Sequence, residues 1–554
     1  MARPRDDQPR LTNSAGITPV EWLILAAAGL VLIGFRLHAF DLPLETDECN
    51  YAYIAARLLE GDRLYADVWD HQPFGIFALF AGIIAMAGDL PGVFRWTATA
   101  FSLATLVLLW CVVRRCSGRG PAMLAAAVFA IVSSDPGTAG EGCNREIYMN
   151  ALILAAWHVA LGSRSKTNVK AFGAGLLLAI CSTFKTIVAV HWLVMAPWIG
   201  FAAKEIAREK ESRRKIVTAL VSYALGPFLV WAATFAYFAA TNRAGDFLDA
   251  VFLFNLGYSE RPGGVFARFL EFFTPTRHPF IFHSAWPLWL GGAAGLVWLI
   301  FRAAAKRDFR TTAIVLLVVG GFLAICLPGR FWPHYYYLLI PALVAAVSIA
   351  VGDLACLISD NRCFRARKSA QVCTALTYLA VPAGLLYTEY VHYLSQPPFG
   401  ITVTRYNSRD FWGRAQGENV RRVTDPEDKV FVFGNEAEIY YYSGRRCASR
   451  YTMITGIKSG YPGADLRRAK MLEDLRWDPP RVIMVVFDQD PFDEWVAFLK
   501  EHYGQPVGWD FHDRDERKTE AIMFVLARKD APIRSIDWDW DRCDVGGWLL
   551  GEER

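Results

Sequence analysis

The stretch WLILAAAGLVLIGFRLHAF, Trp22–Phe40, decides how the rest of the chain is read. It is as long as a helix needs to be to cross a hydrocarbon core of about 30 Å. No small-residue cleavage site follows it, so it reads as a retained first span rather than a removed leader. Directly after it, DLPLETDECNY (Asp41–Tyr51) brings an acidic pair, Asp47-Glu48, followed by Tyr51, Gly61, Tyr65, Asp70, His71 and Pro73. Carboxylates set at a membrane surface, in a chain otherwise built for lipid, point to chemistry on a substrate delivered from the bilayer.

Composition agrees with that reading. Of 554 residues, 54% are hydrophobic and 14% aromatic, and the mean hydropathy of +0.23 excludes an ordinary soluble domain. Lipid forces each backbone polar group into an internal hydrogen bond, so the spans must be helices. Further apolar runs fall at 75–88, 93–113, 121–134, 147–162, 171–184, 186–203, 216–240, 284–301, 311–327, 333–352 and 371–393. The net charge of +4 is too small to identify a partner, and no nucleic-acid role is expected.

Basic residues set the orientation. They cluster at 114–119, 164–170, 204–215, 302–310 and 362–368. All five share one side if the chain starts in the cytoplasm and the stretch 73–113 crosses only once. The short 75–88 run, opened by Pro73, is therefore expected to be re-entrant or interfacial, leaving about eleven crossings. The acidic pair, segment 135–146, loop 241–283, turn 328–334 and the C-terminal part then lie on the outer side. Arg243, Arg261, Arg268 and Arg277 on loop 241–283 run against the rule, which binds long loops less.

From about residue 394 the pattern changes. The short apolar runs Val430–Phe433, Val482–Phe487 and Ile522–Leu526 read as buried strands, with helices near 465–476 and 492–503. The expected architecture is an all-α polytopic membrane helix bundle of about 11–13 helices with a small C-terminal α/β domain on its outer face. Residues 1–20 form a cytoplasmic tail, 21–393 the membrane domain with its outer loop 41–74, and 394–554 the extracytoplasmic domain and tail. The eleven cysteines show no metal-ligand spacing. Cys447 and Cys543 share the outer side, and both are read as unpaired.

Several motifs together resemble a known family: DECNYAYIAARLLEGDRLYADVWDHQPFGIF from Asp47, FRW with Arg95, NREIY from Asn144, STFK ending at Lys185, GRFWPHYYYLLIP from Gly329, and VFVFG followed by IYYYSGRR. The chain to about residue 450 is similar to bacterial GT-C glycosyltransferases, in the protein mannosyltransferase-like and aminoarabinose transferase-like group that includes Rgt-type galacturonosyltransferases. Many members carry a basic residue and two prolines where this chain has His71-Gln72-Pro73-Phe74, so donor contacts there are expected to differ. The resemblance implies transfer of a sugar from a polyprenyl-phosphate-linked donor to a lipid, glycan or protein acceptor at the outer face of the inner (plasma) membrane.

That chemistry needs a base for the acceptor hydroxyl and cations for the departing phosphate. Asp47 is the candidate base or acceptor-orienting carboxylate. Glu48, which points elsewhere on a helix, would fix the loop or bind sugar hydroxyls. The pair also suits the first turn of a helix capped by Thr46 or Asp47. Lys185, between two apolar runs, is a candidate for the donor phosphate or a lysine snorkelling from a turn. Arg330 and His334 would complete a phosphate cradle or anchor the interface.

Arg95 would pair with Asp47 or Glu48, or sit among headgroups. Asp70 and His71 are placed to approach donor or acceptor, and Glu146 to position the acceptor, whereas Asp135-Pro136-Gly137 reads as turn chemistry. Tyr440–Tyr442 with Arg445-Arg446 would offer an acceptor surface or strand core. No cofactor is required, and a divalent metal is compatible with the acidic groups without being demanded by them. A transporter or lipid flippase would also bury charges, but no internal repeat is visible. An oligosaccharide ligase would suit the same residues. A non-catalytic scaffold would explain the outer domain, but would not need the acidic pair, Lys185 and Arg330 on one side.

Overall fold

The computed structural model describes residues 16–162, 166–206, 212–260, 264–274, 280–306, 308–360, 367–397, 400–401, 409–486, 491–513, 519–533 and 538. The helices are α1 (Pro19–Leu37), α2 (Thr46–Leu59), α3 (Gly75–Ala87), α4 (Pro91–Ser117), α5 (Arg119–Val132), α6 (Arg145–Ala160), α7 (Thr167–Ser182), α8 (Ala189–Ile206) and α9 (Ser212–Ala240). There follow α10 (Ala244–Leu248), joined by a π-helical turn at Asp249–Leu253 to α11 (Phe254–Tyr258), then α12 (Gly264–Glu271) and α13 (Phe280–His283). The membrane part ends with α14 (Trp286–Lys306), α15 (Phe309–Cys326), α16 (Pro333–Tyr336), α17 (Ile340–Asp360) and α18 (Arg367–Glu389).

Each apolar run of the sequence falls on a helix. Among the described residues, seven helices are long and apolar enough to cross a bilayer: α1, α4, α8, α9, α14, α15 and the run from Pro333 through α17. Helices α3, α5 and α7 are apolar but shorter. The thirteen residues of α3 reach only about 20 Å at 1.5 Å per residue, less than a hydrocarbon core. Large apolar side chains on the outside, such as Leu23, Leu30, Val221, Phe228, Leu290 and Leu379, stay exposed, as side chains facing lipid would.

Packing within lipid gains nothing from hiding apolar surface, so close backbone approach carries the weight. Where α7 meets α9, Gly175 and Gly226 face each other's backbones. A methyl group on Gly175 would overlap Tyr223 O, and one on Gly226 would overlap Leu176 N.

Charged groups sort to the two ends of the bundle. At one end Arg114 and Arg119 bind Glu21 near the start of α1. There too, Arg310 donates to Arg115 O, and Arg302 pairs with Asp308 and Asp353. Lys166 and Lys215 line one cavity at that end, and Lys170 and Arg310 line its neighbour. The opposite end carries α2 with its loop, the 135–146 segment and the C-terminal domain.

That domain holds a five-stranded sheet. Its strands are β1 (Lys429–Phe433), β2 (Arg446–Cys447), β3 (Val482–Val486), β4 (Gly508–Asp513) and β5 (Thr519–Ala527), in the order β2-β1-β3-β5-β4. β1 pairs parallel with β2 and β3, while β5 runs antiparallel to β3 and β4. Two helices, Ala464–Trp477 and Asp493–His502, lie where the sequence placed them. The short β2 and the polar β4 carry too little apolar signal to be read in advance. Cys447 is a free thiol, and Cys543 lies outside the described residues.

One expectation is corrected. Tyr440–Tyr442 are neither strand nor open acceptor surface but part of a short helix, Glu438–Ser443, that docks the domain on α2. The Leu44 N–H donates to Tyr442 Oη at 2.8 Å, the Cys447 N–H to Tyr53 Oη at 2.8 Å, and the Tyr53 and Tyr440 rings lie 5.5 Å apart. Arg445 is buried and donates to Thr424 O and Arg421 O, satisfying carbonyls at the end of the helix Arg409–Val423. Arg446 reaches Glu60.

Replacing Gly226 by Val should separate α7 from α9 at a cost of about 1–3 kcal/mol, the usual range for overpacking. A melting temperature in detergent equal to wild type would show that this contact does not hold the bundle.

Candidate active site

Four consecutive polar residues open α2, and the fold spends three of them on structure. Glu45 accepts from Asn144 Nδ2, Thr46 Oγ1 donates to Glu438 of the C-terminal domain, and Glu48 accepts the N–H groups of Glu45 and Cys143. Glu48 is 1% exposed, and each of its oxygens accepts a backbone N–H, which ties the loop to segment 140–144. Consecutive helical side chains diverge by about 100°, which turns Asp47 the other way. Its side chain remains 32% exposed, with His334 Nε2 at 3.8 Å and Tyr51 Oη at 3.5 Å.

The floor under this turn is the segment 140–144. Buried Arg36 on α1 donates to Gly140 O at 2.7 Å and Gly142 O at 2.6 Å, besides Thr99 Oγ1 at 3.0 Å. Arg95 on α4 donates to Leu42 O, Pro43 O and Glu141 O at 3.0–3.2 Å. The expected pairing of Arg95 with Asp47 or Glu48 is therefore replaced by a carbonyl clamp. Its position one turn into α4 points it at the chain entering α2, where backbone oxygens lack partners. Gly142 has to be glycine, since a Cβ there would overlap Glu48 Oε1.

A second cluster faces Asp47. Lys185, in the turn between α7 and α8, binds Glu146 Oε1 at 3.0 Å, and its ammonium sits 2.9 Å from the centroid of the Tyr335 ring. Arg145 approaches the same carboxylate at 3.4 Å and lies over the Tyr51 ring. Burial drives the Lys185 ammonium down to about 7, against the opposing pull of Glu146. Arg145 Nη1, Glu146 Oε2 and both ring nitrogens of His334 are buried with no hydrogen-bonding protein partner. Buried polar atoms normally find partners, so several such atoms converging beside an open carboxylate mark a place built to receive a polar ligand.

Asp70 and His71 form one wall. Asp70 accepts from Asn50 Nδ2 at 2.6 Å and the Gln72 N–H at 2.7 Å, and its carboxylate lies 3.6 Å from His71 Nδ1. Burial raises Asp70 to about 7 and lowers His71 to about 3, with Arg145, Lys185 and Arg330 adding to the effect. The imidazole is thus neutral and packs between Phe254 and Tyr258. Tyr65, which turns the loop, adopts φ 71°, a conformation rare outside glycine. Its hydroxyl donates to Gln72 O at 2.9 Å.

Arg330 departs from expectation. Its guanidinium lies 3.9 Å over the Tyr258 ring and donates to Tyr258 O and Tyr461 Oη. Those bonds use its Nε and Nη2 and brace the aromatic rim, and its charge acts on His71 together with Arg145 and Lys185. Asp135 is fully buried, with Thr138 donating to it at 3.0 Å in a 3₁₀ turn. Arg145, Tyr51, Tyr335 and Asn50 were not among the expected site residues. Arg145 had a readable signal, a charge entering a span; Asn50 had none, because its partners are remote. Among the described residues no three His, Cys, Asp or Glu side chains form a metal-binding group.

Comparison with solved structures defines the fold. ArnT from Cupriavidus metallidurans bound to undecaprenyl phosphate is similar over 92% of this chain and 98% of its own, with TM-score 0.59 and 14% identity. Apo ArnT from the same organism matches over 91% and 97%, with TM-score 0.54 and 14% identity. The archaeal oligosaccharyltransferase AglB from Archaeoglobus fulgidus, in complex with an inhibitory peptide and a dolichol-phosphate, matches over 90% and 74%, with TM-score 0.52 and 14% identity. No protein-family model matches the chain, and neither does any curated protein sequence. The helix bundle with its C-terminal domain therefore has the architecture of these proteins, the GT-C fold that the motifs imply.

The division of labour between neighbouring carboxylates is testable. Glu48→Gln replaces an acceptor by a donor facing an N–H group and should destabilise by about 1–3 kcal/mol. Asp47→Asn should cost less than about 0.5 kcal/mol, as at exposed sites. Thermal unfolding in detergent compares the two, and equal losses would assign Asp47 a structural role.

Proposed function

We propose that the protein is an integral membrane glycosyltransferase that moves a sugar from a polyprenyl-phosphate donor to an envelope acceptor at the outer face of the inner membrane. The observation that carries this reading is the open Asp47 carboxylate set opposite Lys185, Arg145 and the unbonded atoms of Glu146 and His334. The solved structures of the same fold include proteins bound to undecaprenyl phosphate and to a dolichol-phosphate, which supports a lipid phosphate as the ligand of the cationic side.

In the proposed reaction the acceptor hydroxyl passes its proton to Asp47 as its oxygen attacks the anomeric carbon. The bond from that carbon to the phosphate oxygen breaks, and its electron pair leaves with the lipid phosphate. Lys185 and Arg145 stabilise the charge that develops there, and Glu146 holds both cations in place. Attack from the face opposite the leaving group inverts the anomeric configuration. A cavity of about 720 Å³ between the α2 loop, α3 and α9 is lined by Leu58, Leu64, Phe74, Ala78, Val230 and Phe238, with Asp62, Arg63 and Arg243 also on its wall, and its apolar side would take part of a prenyl chain.

Basic residues gathered at the end remote from this site support a cytoplasmic N-terminus and an extracytoplasmic C-terminal domain. Whether the acceptor is lipid, glycan or protein is read by the assay below. Transfer of a preassembled oligosaccharide instead of one sugar would appear as a product of larger mass.

Membranes carrying the protein should move radiolabelled sugar from a polyprenyl-phosphate donor to acceptor. Asp47→Asn, at matched protein level, should reduce the rate by about 10²- to 10⁴-fold, the usual weight of a general base. An unchanged rate would remove Asp47 from the mechanism. Lys185→Ala should raise the donor KM.

The pH dependence has a definite sign. The phosphodiester of such a donor keeps one negative charge across neutrality, whereas Lys185 titrates near 7. Donor KM should therefore rise as pH rises above about 7 and stay level in Lys185→Arg, which remains charged. A wild-type KM that does not change between pH 6 and 9 would exclude Lys185 from phosphate binding.

A further inference from the structure

The C-terminal domain does more than cover the loop that follows α2, since one of its side chains reaches the inner wall of the site. Thr452 is 1% exposed and follows a stretch that binds the loop through its backbone. The Trp69 N–H donates to Arg450 O at 2.8 Å, and Trp69 pairs with Tyr451 as in a parallel strand. Thr452 Oγ1 donates to Asn50 Oδ1 at 2.7 Å, and the other end of that amide, Nδ2, donates to Asp70 Oδ2 at 2.6 Å. Asn50 is itself 1% exposed.

An asparagine amide can present either its oxygen or its nitrogen to a neighbour. Facing a buried carboxylate, the nitrogen attracts and the oxygen repels. The Asp70 carboxylate selects the orientation that turns the Asn50 N–H toward it. Thr452, whose hydroxyl donates to the oxygen at the far end, holds the amide in that place.

We propose that Thr452 is a positioning residue of the site, locking the Asn50 amide so that it donates to Asp70 and thereby holds Asp70 and His71 in the wall facing Arg145 and Lys185. The C-terminal domain is then part of the reaction centre's framework rather than an acceptor-selecting cap alone. The role of His71 in transfer rests on the function proposed above. The chain from Thr452 through Asn50 to Asp70 does not.

The charged and titratable groups facing Asp70 are Asp47, Arg145, Tyr51, Tyr65 and His71. An uncharged exchange at Thr452 leaves all of them in place. Without the Thr452 hydroxyl the Asn50 oxygen loses its donor and the amide is no longer held, which weakens its N–H bond to Asp70 and disfavours the ionised carboxylate, so Thr452→Val should move Asp70's titration upward. The test is an infrared titration of protonated carboxyl groups in the full-length protein in detergent. The wild-type band that disappears near pH 7 should be missing in Asp70→Asn, which assigns it.

In Thr452→Val its midpoint should rise by about one pH unit, and Thr452→Ser, which keeps the hydroxyl, should restore it. Asn50→Leu removes the same N–H without touching the C-terminal domain and should raise the midpoint too, which keeps the test alive if Thr452→Val does not fold. In transfer assays Thr452→Val should lower kcat about tenfold at pH 7 with Thr452→Ser at wild-type level. A wild-type midpoint in a folded Thr452→Val would overturn the proposal, as would a wild-type midpoint in Asn50→Leu. The expected midpoints in a protein that transfers no sugar would leave the positioning role standing and remove the transferase reading instead.

Discussion

The structure of this protein turns on one buried carboxylate. Glu48 sits beneath the first turn of α2 and accepts N–H groups from Glu45 and Cys143, tying the loop after the first span to the segment before α6. A buried carboxyl group is tolerated there because two backbone N–H groups donate to it, and removing a donor would leave its desolvation cost uncompensated. Gly142 lets it approach, and Arg36 and Arg95 clamp the neighbouring carbonyls. With Glu48 held, Asp47 is obliged to face outward.

Opposite Asp47, the cations are arranged by the same logic. Lys185 and Arg145 share Glu146, so two positive charges are kept beside each other in a buried place by one negative charge. Such a triad is a weak source of stability, and its unbonded atoms mean that it is incompletely satisfied as it stands. Arg145 Nη1 lacks an acceptor and Glu146 Oε2 lacks a donor, so the two open positions are of opposite kind. The aromatic rim of His71, Phe254, Tyr258 and Tyr461, braced by Arg330, supplies walls of low polarity that strengthen any charge interaction inside.

The C-terminal domain belongs to this arrangement. It supplies Glu438 to Thr46, Tyr442 to Leu44, Tyr451 to Trp69 and Thr452 to Asn50. The loop from α2 to His71 has turns of its own, with the Tyr65 N–H on Val68 O and the Ala66 and Asp67 N–H groups on Arg63 O. Arg243 and Asn255 of the membrane part bind Leu64 O and His71 O, and the C-terminal domain adds the contacts above.

Hydropathy alone determined the membrane bundle, since each apolar run must become a helix in lipid, and the soluble domain with three of its five strands, since those strands are continuous apolar runs. Local spacing separated the roles of Asp47 and Glu48, because consecutive helical side chains diverge. Tertiary structure decided the remainder. Arg95 and Arg330 look like ligands of carboxylate or phosphate in a sequence, yet they bind carbonyls and aromatic rings here, because a guanidinium takes whichever acceptors the fold brings within reach. Tyr440–Tyr442 became a docking helix because the Tyr440 ring meets Tyr53 on α2 and Tyr442 takes the Leu44 N–H just before it. The link from Thr452 through Asn50 to Asp70 has no local signature at all: its members are separated by 402 and 20 positions, and hydrogen bonds at such separations exist only once the chain has folded.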